Sequence, residues 1–101
     1  MTTAPSSPTE CWQARIRGRV QGVGYRAACA RRACELGLTG WVRNRVDGSV
    51  EAAFVGPPDR LETMRAWLHR GPPSAHVASV EVAPAALPDP PGTGFEQRPT
   101  A

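Results

Sequence analysis

The sequence predicts an α+β sandwich, an antiparallel sheet with two helices packed on one of its faces. Strand-like alternation and helical periodicity follow one another in the order β-α-β-β-α-β, with a short fifth strand at the end. A chain of 101 residues can bury one core but not two. That order, in two halves each built on a strand and a helix, is the split-βαβ or ferredoxin-like arrangement.

Residues 1–10 are rich in Thr, Ser and Pro without periodicity, and they are expected to form a disordered arm ahead of a domain spanning 11–101. Trp12, Ala14 and Ile16 alternate with Gln13, Arg15 and Arg17, the pattern of a half-buried strand. Gly18 to Gly24 is a glycine-punctuated turn. Tyr25, Ala28, Cys29, Ala33 and Leu36 then recur at helical spacing as far as a stop at Gly37. Leu38 to Arg45 and Ser49 to Val55 form a hairpin about Asp47-Gly48. Asp59 with Glu62 reads as a capping box for a second helix, whose Leu61, Met64 and Leu68 share a face before Gly71-Pro72 ends it. His76 to Val82 is the fourth strand and Phe95 to Arg98 the fifth, joined by a proline-rich connector over 83–94.

Composition narrows the function. The 12 basic residues are all arginine, and a net charge of +3 favours anionic partners while falling short of the bias of a general nucleic-acid binder. Cys11, Cys29 and Cys34 cannot all pair within one chain and show no metal-binding spacing, which points to reduced thiols. The N-terminus lacks the basic-then-apolar pattern of a leader, and no apolar run is long enough to span a bilayer. A cytoplasmic protein with no membrane partner is expected. His69 and His76 have no partner pattern, so no metal is expected, and Trp12, Trp41 and Trp67 read as packing residues.

The informative stretch is Gly18-Arg19-Val20-Gln21-Gly22-Val23-Gly24-Tyr25-Arg26. Its glycines let the backbone turn sharply and present successive N–H groups at a helix N-terminus, a nest suited to phosphate or carboxylate. Arg26 falls in the first helical turn, where a cation opposes the macrodipole unless an anion lies between them. Gly22 to Ala27 formally matches the dinucleotide pattern GxGxxA. The strand after the helix, however, ends at Asn44-Arg45 and turns back instead of running parallel to an acidic residue. A Walker A loop fails for want of Gly-Lys-Ser/Thr.

GRVQGVGYR resembles the acylphosphatase signature, G-x-V-Q-G-V-x-[FY]-R. A second family element is matched by Gly40-Trp41-Val42-Arg43-Asn44, followed by Asp47-Gly48-Ser49-Val50-Glu51. The likeness runs from about Cys11 to Val82 and resumes over Phe95 to Thr100, with Gln97 standing where similar proteins usually carry an aliphatic residue. The resemblance implies hydrolysis of acyl phosphates to a carboxylate and inorganic phosphate, with no metal or organic cofactor. It implies that the backbone of Gln21, Gly22, Val23, Gly24, Tyr25 and Arg26 holds the phosphate. It further implies that the Arg26 guanidinium clamps two phosphate oxygens and that Asn44 positions the attacking water. The leaving carboxylate needs little protonation, so such a site can lack a basic side chain. Arg15, Arg17, Arg19, Arg43 and Arg45 flank the motifs and read equally as anion-steering or as solvated outer-face residues.

A monomer acting on a small molecule is expected, with no nucleic acid. The alternative is a non-catalytic ferredoxin-like module that binds an anion or RNA, or a regulatory domain like those heading larger carbamoyl-transfer proteins. The RNA reading needs base-stacking aromatics on the two central strands, and neither supplies them. The regulatory reading would have zinc-binding cysteines following the domain, and none is expected here.

Overall fold

The computed structural model describes residues 9–101. Its elements are β1 (Glu10–Arg19), α1 (Tyr25–Glu35), β2 (Thr39–Asn44), β3 (Val50–Gly56), α2 (Pro58–Arg70), β4 (His76–Ala85) and β5 (Phe95–Gln97). Of the arm expected over residues 1–10, residues 1–8 lie outside the described residues, and Glu10 belongs to β1. The sheet order is β4-β1-β3-β2-β5, and α1 and α2 pack on one face of it.

β1 and β2 each run antiparallel to β3, so they run parallel to one another and end at the same edge of the sheet. Ile16 on β1 and Asn44 on β2 both pair with Val50, which places the loop after β1 and the end of β2 side by side. Period two puts Ala14, Ile16, Val42, Val50, Ala52 and Phe54 on the helix-covered face, where they are buried. Asn44 shares that face with Val42.

One expectation about the sheet is corrected. The four long strands are antiparallel to their neighbours, but β5 pairs parallel with β2 over Gly40–Phe95 to Val42–Gln97, so the sheet is mixed. The reason is directional. β4 runs opposite to β1 and therefore opposite to β2; the connector turns the chain back at the end of β4, so β5 can meet β2 only in the same direction. β4 also continues through Pro84 to Ala85. Proline is tolerated there because β4 is an edge strand whose outer side needs no donor.

Gly40 explains how three residues suffice for β5. It lies between Phe54 and Phe95 in one row across the sheet, and over its missing side chain the two rings stack at 5.4 Å with 12° between planes. At φ 137°, a Cβ on Gly40 would run into the Ala53 carbonyl.

The helices end as their sequences direct, but α2 does not begin so. α1 closes with Gly37 at φ 70°: Gly37 N–H donates to Cys34 O at 3.0 Å and Leu38 N–H to Ala33 O at 2.9 Å, a Schellman motif. The expected capping box at Asp59 and Glu62 does not form. Pro57 is the N-cap of α2, without a side-chain bond, and Pro58 occupies the first turn. A proline ring fixes φ near its helical value, so Pro58 starts the helix ahead of Asp59. Asp59 instead lies in the first turn, where its charge favours the macrodipole.

Candidate active site

The loop from Val20 to Gly24 carries the chain from β1 into α1. Gly22 and Gly24 have φ of 73° and 80°, the left-handed region that glycine enters without strain. A Cβ at either would meet nothing within 4 Å, so the loop is open on its outer side. Gly24 is the N-cap and makes no side-chain bond; its carbonyl accepts from Ala28 N–H at 3.1 Å. Among the described residues, none of the N–H groups from Gln21 to Ala27 donates to another backbone or side-chain group. The head of α1 is thus a bank of unpaired donors at the positive end of the helix.

Arg26 stands in this first turn, which contains no acidic residue. Among the described residues it has no ion-pair partner, whereas Arg15, Arg17, Arg43 and Arg45 each have at least one. Tyr25 points the other way. Its hydroxyl donates to Leu68 O at 2.7 Å, its ring lies against Gly71 and 5.5 Å from that of Trp67, and it is fully buried. The side chain of Tyr25 therefore pins the head of α1 to the end of α2, and only its N–H faces the loop. Val23 is half-buried against the core.

Asn44 closes β2. Its Oδ1 is buried and receives no hydrogen bond, a strong acceptor without a donor. The loop and this strand are brought together by Gln21, whose Nε2 donates to Arg45 O at 2.8 Å and Ser49 O at 2.9 Å. No direct hydrogen bond joins Arg26 to Asn44 among the described residues. Sequence reasoning placed Gln21 in the loop but missed this side-chain tie, because its partners lie 24 and 28 residues away and meet it only once the hairpin is folded.

Of the flanking arginines, Arg15, Arg17, Arg43 and Arg45 pair with acids on the outer sheet face. Glu51 accepts from Arg43 at 2.8 Å and also pairs with Arg15 and Arg45, while Asp47 pairs with Arg15 and Arg17. Hydrogen bonds from the Ser49 hydroxyl and backbone N–H hold the Asp47 carboxyl below its ordinary range. A cavity of about 550 Å³ lies on this same outer face under the connector, lined by Cys11, Trp41 and Ala53 among others, and contains none of the predicted site residues. Arg43 and Arg98 each place a guanidinium 4.9 Å from the Trp41 ring. Cys29 is buried and Cys34 is exposed. Among the described residues no three His, Cys, Asp or Glu side chains gather to hold a metal, and no helix is long and apolar enough to cross a membrane.

A five-stranded sheet with two helices on one face, and a helix head of unpaired N–H groups beside the ends of two parallel strands, defines the chain as a small ferredoxin-like domain. Within that class the match is specific: the acylphosphatase family model covers residues 12–97. The acylphosphatase of Cupriavidus metallidurans is 63% identical over 81 residues, 80% of this chain and 85% of that one. That of Azoarcus is 55% identical over 96 residues, 95% and 96% of the two chains. The structure of an acylphosphatase from Coxiella burnetii superposes with a TM-score of 0.84 at 36% identity, covering 89% of this chain and 93% of that one. The chain belongs to the acylphosphatase family and is a hydrolase of that kind.

Proposed function

We propose that the chain hydrolyses the carboxyl–phosphate bond of small acyl phosphates, with the loop from Gln21 to Arg26 as phosphate cradle and Asn44 as the residue that orients water. The observation that carries this reading is the run of unpaired N–H groups from Gln21 to Ala27 with an unpaired Arg26 among them. Such a cluster of donors beside a cation at a helix N-terminus is a site that an oxyanion completes. The planar guanidinium takes two phosphate oxygens at once, which a lysine cannot do.

The orphaned Asn44 Oδ1 supports the second half of the reading. A neutral amide oxygen accepts a proton-bearing bond from water and fixes its lone pair towards phosphorus without itself ionising. As water attacks, the P–O bond to the carboxylate breaks and the pair of electrons leaves with the carboxylate, a good leaving group. A phosphate oxygen takes the proton from the attacking water. Charge stabilisation by the cradle and alignment by Asn44 supply the rate enhancement. In this reading residues 11–101 act as one domain, a cytoplasmic monomer that needs neither nucleic acid nor membrane.

The test is hydrolysis of benzoyl phosphate in the presence of EDTA, with a phosphate monoester as control. Wild type should cleave only the acyl phosphate. Arg26→Ala and Arg26→Lys should lose turnover and phosphate binding, by at least about 100-fold in kcat/KM. Asn44→Ala should lose turnover but keep phosphate binding. Turnover surviving in either arginine variant would refute the assignment.

A further inference from the structure

We infer that Gln21 is a positioning residue, whose side chain sets the phosphate loop in register with Asn44. The carboxamide Nε2 spends both its protons on the β2–β3 turn, one on Arg45 O at 2.8 Å and one on Ser49 O at 2.9 Å. Arg45 directly follows Asn44 in the chain. Among the described residues no other side chain of the loop from Val20 to Arg26 bonds to this turn.

The turn does not need these bonds in order to form. Arg45 O already accepts from Gly48 N–H at 3.1 Å, and Ser49 O from Arg45 N–H at 2.8 Å. Asp47 Oδ1 closes it further by accepting from the backbone N–H and hydroxyl of Ser49 at 2.9 and 2.6 Å. Gln21 occupies only the second acceptor position of each carbonyl, so its removal leaves neither buried and unpaired. The loop likewise takes its shape from Gly22 and Gly24. What the bonds to Gln21 add to the strand pairing at Val50 is a direct tie between one finished unit and the other.

This inference rests on the reading above, in which the loop holds phosphate and Asn44 holds water. In-line attack requires the two reacting atoms to be aligned to within a fraction of an ångström. With Gln21 in place, the phosphorus and the water are carried by units tied within one peptide of Asn44. Without it, each unit keeps its own ligand and the line between them is lost.

Gln21→Met keeps the length of the side chain and removes both donors. Measured with benzoyl phosphate, kcat should fall by between about 10-fold and 100-fold, with KM and the Kd for inorganic phosphate within about threefold of wild type. The urea midpoint should stay close to that of wild type, because every hydrogen bond internal to the turn survives. Gln21→Glu, which faces two carbonyls with oxygens in place of donors, should lose at least as much kcat. In an Asn44→Ala background, adding Gln21→Met should lower the residual rate no further.

An unchanged kcat in Gln21→Met would overturn the inference. So would a loss of phosphate affinity in step with kcat, or a lowered midpoint in both variants, because Gln21 would then only help to build the loop. Asn44→Ala separates the two levels of the argument. If that variant keeps turnover, the site reading itself fails; if it loses turnover while Gln21→Met does not, only the positioning role fails.

Discussion

Arg26 sits at the end of α1 where a cation is least welcome, and this has a measurable consequence for stability. The first turn of α1 holds no acid, Gly24 provides no side-chain cap and Arg26 has no ion-pair partner among the described residues. An unscreened cation at the positive end of a helix costs about 0.3 to 1 kcal/mol, and alanine is the better helix former by a few tenths more. Without phosphate, Arg26→Ala should therefore be more stable than wild type by about 0.5 to 1 kcal/mol, or roughly 2 to 8 °C in Tm for a domain of this size. Phosphate reverses the order. At a concentration of about 100 times its Kd, it should add about 2.7 kcal/mol to wild type and little to the variant. The assay is urea and thermal unfolding with and without phosphate, at matched ionic strength so that screening does not mimic binding. If Arg26→Ala is the weaker protein without phosphate, Arg26 is holding the fold together. If phosphate raises both proteins equally, the anion sits elsewhere.

Tyr25→Phe removes the buried bond to Leu68 O and leaves that carbonyl short of a donor, so it should cost about 1 to 2 kcal/mol by urea denaturation while kcat changes little. Burial pushes both the Cys29 thiol and the Tyr25 phenol above their ordinary values, so the folded chain keeps protons that the unfolded chain releases. Stability should be full below about pH 9 and decline as pH rises beyond it; a urea midpoint that stays flat across that range would contradict this. Gly40→Ala drives a methyl into the Ala53 carbonyl at a φ alanine avoids, and it should lower stability by at least about 3 kcal/mol, detected as loss of the cooperative unfolding transition. Of the three cysteines, only Cys34 should react promptly with a disulfide reagent in native buffer, with Cys11 and Cys29 following on unfolding.

What could be read from the sequence was what is decided locally. The period-two run of Trp12, Ala14 and Ile16 and the i, i+4 spacing of Tyr25, Cys29 and Ala33 fix a buried face wherever the chain goes, and these residues lie in the core, with Trp12 half-buried against it. The glycine loop and Arg26 were legible for the same reason: left-handed turns and the first turn of a helix are short-range matters. Pro58 misled the reading of α2 because its ring overrode the cap that Asp59 offered. The direction of β5, the tie from Gln21 and the Arg15–Glu51 ion pair join residues far apart in the chain, and local periodicity contains no term for them. Asn44 lay between these cases. Its motif named it, but its orphaned oxygen emerges only once β2 is placed beside α1.

The fifth strand makes the ordering of Asn44 depend on a segment far away in the chain. Arg98 N–H donates to Val42 O at 2.8 Å and Ala101 N–H to Asn44 O at 3.1 Å, so the terminal residues extend the lattice that holds Asn44 in place. To reach that edge from β4, the connector over 86–94 crosses four strand spacings, roughly 19 Å. Nine residues can span that distance with slack, since each contributes up to about 3.5 Å when extended. Composition along the connector is therefore free to drift while its reach is not. A homologue trimmed below that reach would keep both motifs letter for letter and lose the support beneath one of them, so intact motifs alone do not certify a working enzyme.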